Sequence, residues 1–224
     1  FQFLLAVLGN SSAQLGPLWW AAHHRHHHRN TDTEQDIHSP VVHGFWWSHI
    51  GWVMCPEYSK TNEQNVRDFA QYPELQYLNR FHMIAPTVLG LTLIAIGILC
   101  QLYTPQLRTT GLQMFVWGFC LSTLLLYHTT FTINSLAHIF GSRRFDTTDT
   151  SRNNWFLALI TLGEGWHNNH HYYPASERQG FYWWEIDITH YILKLLSWLG
   201  IVWDLRTPPR KIYEKSHCLS TKCS

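Results

Sequence analysis

The apolar positions collect into two long runs. Between Arg80 and Arg108 there is no Asp, Glu, Lys or Arg for 27 residues, and between Arg108 and Arg143 there is none for 34. A helix of about 20 apolar residues crosses the ~30 Å hydrocarbon core of a bilayer. The first run predicts such a helix over 84–103, with Pro86 in the first turn, where a missing N–H costs least. The second predicts one over 111–132. The competing reading is a pair of buried helices in a soluble α-domain, and two consecutive uncharged runs of this length argue against it. The connection from Tyr103 to Thr110 is short and contains Pro105, so the helices form an antiparallel hairpin and both chain ends lie on one side. The second run is longer than a membrane needs, since 34 residues would reach ~50 Å as a helix. Its last turns are expected to project beyond the bilayer, with Asn134 and His138, four apart, on one helical face.

The flanking segments are patterned differently. Residues 1–20 are apolar and uncharged but broken by Gly9, Gly16 and Pro17, which predicts an interfacial or re-entrant helix. Residues 181–203 mix Trp183, Trp184, Leu193, Leu195, Leu196 and Trp198 with Glu185, Asp187 and Lys194, a membrane-surface pattern or that of an ordinary core helix. The tail after Leu205 is polar and is expected to be loose. Of the 16 Lys and Arg only Arg108 falls in the hairpin connection, which makes the common side cytoplasmic by the positive-inside rule.

Composition sharpens this picture. Charged residues are 14% of the chain, against about 25% in soluble proteins. Aromatics are 15%, with 12 Trp, and His (16) equals Lys and Arg together. A net charge of +1 gives a nucleic-acid binder no electrostatic support, so no nucleic-acid partner is expected. Cys55, Cys100, Cys120, Cys218 and Cys223 contain no CxxC pair, hence no zinc-ribbon spacing and no disulfide framework. The chain opens at Phe1 and its first Met is Met54, which reads as a chain whose true N-terminus is missing.

The chemistry lies in two histidine clusters. Both contain H-x-x-H-H: His24, His27, His28 and His167, His170, His171. Spacings of three and four put the three rings of each on one helical face, and neutral imidazole is a strong ligand for transition metals. Six such nitrogens are too many for one tetrahedral zinc and enough for most of a two-metal site. Asn134 and His138 add candidates from the end of the second span. The isolated His49, His82, His128, His190 and His217 read as packing or interface residues; His38 and His43, near the first cluster, stay open. Trp19, Trp20, Trp46, Trp47, Trp52 and Trp166 are candidate lining for an apolar tunnel, with interface packing the equal alternative.

Four stretches together resemble the membrane fatty-acyl desaturases of the stearoyl-CoA (delta-9) type, with flanks more similar to the bacterial branch than the animal one. They are HHRHHHRNTDTEQDIHSP, GFWWSHIGW, TTFTINSLAHIFGSRRFD and GEGWHNNHHYYP, in the family's order, over roughly residues 1–204. The resemblance implies an all-α, multi-pass integral membrane protein in a bacterial inner membrane or the endoplasmic reticulum. A transmembrane hairpin (84–103 and 111–132) would be capped by a cytoplasmic helical region, 133–204, and residues 1–224 would be an N-terminally incomplete desaturase domain. It further implies two iron ions (Fe2+/Fe3+) held by His24, His27, His28, His138, His167, His170 and His171, with Asn134 bound through a water. No catalytic side chain beyond these ligands is implied. The implied partners are a fatty acyl-CoA or another acyl carrier, O2, membrane lipid, and cytochrome b5 or ferredoxin fed by an NAD(P)H reductase.

Two departures stand out. The family's earlier H-x-x-x-x-H box and first spans have no counterpart before His23, which is read as truncation. The animal acyl-CoA enzymes carry Arg-Asp just before the second box, near the CoA head group, where this chain has Ala22 and His23. The implied reaction removes two hydrogens from a methylene pair, giving a cis double bond and water. Such C–H bonds are not acidic, so acid–base side chains cannot break them, whereas oxygen activated at iron can. A related di-iron lipid or alkane hydroxylase is the neighbouring reading. A histidine-rich membrane metal transporter or sensor is the rival from another class, but it should carry ligands at mid-membrane depth.

Overall fold

A computed structural model describes residues 1–214 of the protein; His217, Cys218 and Cys223 lie outside the described residues. Regular structure among those residues is helical, apart from isolated β-bridges of Asn153 to Ser142 and Trp166. Helices α1 (Gln2–Asn10), α2 (Pro17–Asn30) and α3 (Pro40–His43) come first. After a π-helical turn at Trp47–Gly51 follow α4 (Trp52–Met54), α5 (Arg67–Ala70) and α6 (Pro73–Arg80). The long α7 (Ile84–Tyr103) leads into α8 (Gly111–Phe115), a π segment at Val116–Leu121, and α9 (Ser122–Asn134). The last are α10 (Trp155–Ile160), α11 (His167–Tyr172) and α12 (Ile188–Trp198). Contacts divide the chain into two compact units: Phe1–Arg29 with Val53–His128, and Asn30–Trp52 with the residues from Thr129 onward.

In the first unit α7 and the α8–α9 arm of the hairpin run antiparallel. A Cβ added at Gly97 would meet Thr110 and Gly111, one at Gly118 would meet Leu93, and one at Gly90 would meet Phe115 and Phe119. As one partner number falls the other rises. At Gly97 the two backbones approach closely, since its added Cβ would collide with the Thr110 carbonyl oxygen. Small residues of this kind let apolar helices pack without a hydrophobic driving force. The reversal is a 3-10 turn at Pro105–Leu107 ending at Arg108, which is left-handed (φ 50°). A reciprocal Thr110–Gln113 capping box then opens α8. Both α7 and the 28-residue stretch Gly111–His138 are long and apolar enough to cross a membrane.

The same unit fixes α2. Leu18 and Ala22 bury against Val66, the Trp19 N–H donates to Asn79 Oδ1 (2.9 Å), and the Trp19 indole N–H donates to the Tyr58 carbonyl (2.7 Å). Arg25 forms a bidentate pair with Asp68 at 2.6 and 2.9 Å.

In the second unit two expectations are corrected. Asn134 and His138 do not share one α-helical face, because α9 ends at Asn134 and His138 sits on a 3-10 turn, Leu136–His138. The cause is competition for carbonyls. The Ser48 hydroxyl takes the Asn134 carbonyl (2.7 Å), so the His138 N–H bonds Ser135 instead, and the Arg152 N–H takes the Ala137 carbonyl (2.7 Å). The tail after Leu205 is also not loose throughout. Residues 210–214 are helical and Ile212 packs against Phe145 and Phe181, where an apolar side chain repays ordering.

The close approach at Gly97 generates a test. Gly97→Val overpacks the hairpin at a cost of about 1–3 kcal/mol and should lower the melting midpoint in detergent by several degrees. Gly9→Val, where an added Cβ meets nothing within 4 Å, should leave it unchanged. Equal midpoints for the two variants would contradict the packing described.

Candidate metal centre

Helix α11 begins inside GEGWHNNHHYYP. Gly163, with φ 128°, lies against Asp187, a backbone conformation and a close approach that favour glycine. The two asparagines between the histidines are the anchors of the helix. Asn168 is fully buried; its Oδ1 accepts from the N–H groups of Arg144 (2.9 Å) and Phe145 (2.8 Å), and its Nδ2 donates to the Phe145 carbonyl (3.1 Å). Asn169, equally buried, exchanges hydrogen bonds with Asn153 (2.7 and 3.1 Å) and donates to the Gln179 carbonyl and Glu185, each at 2.9 Å. Glu185 in turn pairs with Arg144 at 2.8 Å. Burial pushes the Glu185 carboxyl up, against the pull of Arg144.

On this base three imidazoles converge. His167 Nε2 lies 3.0 Å from His138 Nε2 and 3.0 Å from His171 Nε2. The far side of two of the rings is fixed by carboxylates: His138 Nδ1–H donates to Asp32 Oδ2 (3.1 Å) and His171 Nδ1–H to Asp149 Oδ2 (3.1 Å). A proton on Nδ1 leaves a lone pair on Nε2 of a neutral ring. His167 can offer at most one Nε2 proton, so one of the two contacts sets lone pair against lone pair. A cation at the point of convergence removes that conflict, and carboxylate–histidine–metal arrays of this kind are how proteins orient imidazole ligands.

Protonation states agree with this. Burial lowers the His171 pKa and outweighs the opposing pull of Asp149, which keeps the ring neutral. Burial works against the Asp32 and Asp149 carboxylates too. The hydrogen bonds that His138, Ser39 and the Thr150 N–H give Asp32, and that His171 and Ser151 give Asp149, outweigh it and hold both groups well below the usual carboxylate range.

The other expected ligands are placed as follows. His170 lies on α11, half-buried, its ring 5.9 Å from that of His167 and 5.8 Å from that of His171. Asn134 is buried and its Nδ2 has no hydrogen-bond partner. An orphaned buried amide fits a ligand held there. In the first unit His24 and His28 bring their Nε2 atoms to 3.1 Å on α2, with His24 exposed, and His27 is buried one position before His28. The donor set is imidazole, with carboxylates behind His138 and His171, which fits a borderline divalent metal such as iron.

Some aromatic expectations change. Trp46 is 74% exposed. Trp47 and Trp166 donate their indole N–H groups to the Ile37 (2.9 Å) and Ile186 (2.8 Å) carbonyls, so they tie loops. His49 donates to Ser135 Oγ (3.0 Å) and His190 to Glu177 (2.9 Å), the packing roles expected of them. His38 pairs with Asp36 (3.4 Å) and His43 bonds the Asp36 carbonyl (2.9 Å). Sequence reading missed Asp32, Asp149, Asn168 and Asn169. Asp32 sat unremarked in the acidic run after the first cluster, and Asp149 is marked only by the hydroxyl residues around it.

The chain thus has a buried, carboxylate-oriented histidine cluster that could hold a metal, on a helical scaffold with two membrane-length helices. Comparison with known families supplies the rest: the fatty acid desaturase profile matches residues 1–199, and the chain belongs to that family. It is 37% identical over 210 residues to the Acyl-CoA C20 Delta5-desaturase of Anemone leveillei, covering 92% of this chain and 63% of that protein. It is 36% identical to the sn-1 stearoyl-lipid 9-desaturase of Anabaena variabilis (94% of this chain, 72% of that one). It is 34% identical to the chloroplastic palmitoyl-monogalactosyldiacylglycerol delta-7 desaturase of Arabidopsis thaliana (92% and 53%). The chain thus spans about half to three quarters of the length of these relatives.

Asn168 offers the direct test of the scaffold. Asn168→Ala leaves the Arg144 and Phe145 N–H groups buried without a partner, at roughly 1–3 kcal/mol each. The melting midpoint should fall clearly, with loss of bound metal. An unchanged midpoint would show that α11 is held by something else.

Proposed function

We propose that the protein is a membrane desaturase that introduces a cis double bond, at the delta-9 position, into a saturated acyl-CoA. The observation that carries this is the set of three converging imidazoles with carboxylate-fixed tautomers, in a chain of the desaturase family. The proposed ligands of two irons are His24, His27, His28, His138, His167, His170 and His171, with Asn134 acting through a water. Irons bound by these residues would supply the oxygen-activating chemistry that a methylene pair demands. The overall change is CH2–CH2 with O2, two electrons and two protons to CH=CH and two waters. The chain's own residues bind neutral, place negative charge behind the ligands at Asp32 and Asp149, and exclude water by burial.

The acyl carrier bears on the residues before the second box. Ala22 is packed in the core with Leu18 and Val66, and His23 is buried on the Trp19 carbonyl (2.9 Å), its pKa lowered by that burial. Neither presents a charge to a CoA head group, so the head group would be held elsewhere. The relatives named above include acyl-CoA and acyl-lipid desaturases of delta-5, delta-7 and delta-9 type. Electrons would come from cytochrome b5 or a ferredoxin.

Membrane insertion is part of the proposal. In the second apolar helix only 6% of an 18-residue window is buried, whereas the core helix of a soluble protein is mostly covered. Helix α12 carries Trp198, 76% exposed, with Leu195 and Leu199 also exposed and Lys194 over the Trp198 ring (5.7 Å). We assign it to the headgroup level of the bilayer, on the cytoplasmic side.

Fatty-acid profiling of a desaturase-deficient host expressing the full-length gene tests the activity. The wild type should restore a delta-9 monounsaturated product, His138→Ala and His170→Ala should abolish it, and His190→Ala should retain most of it. Hydroxylated acyl chains in place of unsaturated ones would establish the hydroxylase reading. Topology has its own test: reporters placed after Arg206 and near Thr109 should report opposite faces of the membrane. The same face for both would sink the two-span assignment.

A further inference from the structure

The three-residue segment Asp149–Ser151 reaches both carboxylate–histidine pairs. Asp149 accepts from His171 directly and is itself held by the Ser151 N–H (2.9 Å) and hydroxyl. The next residue, Thr150, grips the other carboxylate: its N–H (2.8 Å) and hydroxyl (2.7 Å) both donate to Asp32 Oδ2, the oxygen that receives His138 Nδ1–H. Asp32 is constrained from its other side too. Ser39 donates to its Oδ1 (2.7 Å), and its own N–H donates to the buried Asp36 carboxylate (3.0 Å). Its backbone is left-handed (φ 59°), a conformation that a non-glycine residue keeps only when its surroundings impose it.

The oxygen shared by Thr150 and His138 is the key feature. Without the Thr150 hydroxyl, Asp32 Oδ2 keeps only the Thr150 N–H and His138 as donors, and the partner that fixes the tautomer and direction of the His138 ring is held less firmly. We infer that Thr150 is a positioning residue of the metal centre, acting through Asp32 on His138. In the same inference, Asp149–Thr150–Ser151 is one clamp that aims His138 and His171 at a common point. One backbone segment then sets the separation of two ligands contributed by α11 and by the turn after α9. This inference rests on the reading of the histidine cluster as a metal site.

Cobalt(II) binding to the metal-stripped full-length protein, followed by its d–d absorption, tests both levels separately. Loss of a group bonded directly to a ligand typically weakens a site by about 10–100-fold; Thr150 acts one bond further out, so Thr150→Val should raise the cobalt Kd by about 10-fold, the lower end of that range. Valine keeps the shape and the N–H, so the melting midpoint should stay close to wild type. Thr150→Ser, which restores the hydroxyl, should return the Kd to near the wild-type value. A Thr150→Val protein that binds cobalt as tightly as wild type would overturn the positioning role, as would a Thr150→Ser protein as weak as the valine variant. His138→Ala is the separate arm for the site itself: it should abolish the wild-type absorption band. If it binds like wild type, the metal-centre reading fails, independently of Thr150.

Discussion

Everything at the centre of this protein depends on the approach of imidazole nitrogens that cannot all satisfy one another. His138 and His171 turn Nδ1 to carboxylates and Nε2 to His167 at 3.0 Å, and with the Nδ1–H tautomers that the carboxylates favour, His167 can answer only one of the two lone pairs. A folded chain holds such an arrangement only when something positive answers it or when the scaffold is strong enough to impose it. Here the scaffold is visible: Asn168 and Asn169 take up the loose backbone groups of the loops around α11, and Asp32 and Asp149 are themselves held by several donors. Buried polar networks are stabilising only when their members are satisfied.

The break in the second long helix follows from the same demand. A continuous helix would leave His138 one turn above Asn134, with its backbone groups spent on its own axis. The Ser48 hydroxyl and the Arg152 N–H remove two carbonyls from the helical ladder, and the chain tightens into a 3-10 turn that carries His138. Ser48 is fully buried, so its bond to Asn134 has no competing water. The GFWWSHIGW segment, which contains it, therefore shapes the backbone beneath His138 in the candidate metal centre.

Much of this was legible in the chain. The two uncharged runs located α7 and the α8–α9 helix because a soluble helix of that length needs charged or polar residues on its water-facing side. The H-x-x-H-H spacing located the helical faces of α2 and α11 because 3.6 residues per turn is a fixed period. The π segment at Val116–Leu121, the turn at His138 and the buried Ile212 were not legible. Each depends on a partner distant in sequence or on which carbonyl wins a hydrogen bond. Asp32 and Asp149 escaped for a related reason: a carboxylate behind a histidine has no spacing rule, since it arrives from another segment. The tryptophans were legible only as alternatives, lining or packing; the structure adds that the indole N–H groups of Trp47 and Trp166 tie loops and that Trp46 is exposed.

The central claim is that neutral imidazoles, with no sulfur ligand, bind iron at this centre. Iron K-edge X-ray absorption on the full-length protein tests it most directly. The account predicts a first shell of nitrogen and oxygen, with the outer-shell scattering pattern of imidazole rings, and loss of part of that pattern in His171→Ala. A sulfur first shell, or protein that retains zinc and excludes iron when both are supplied, would contradict it.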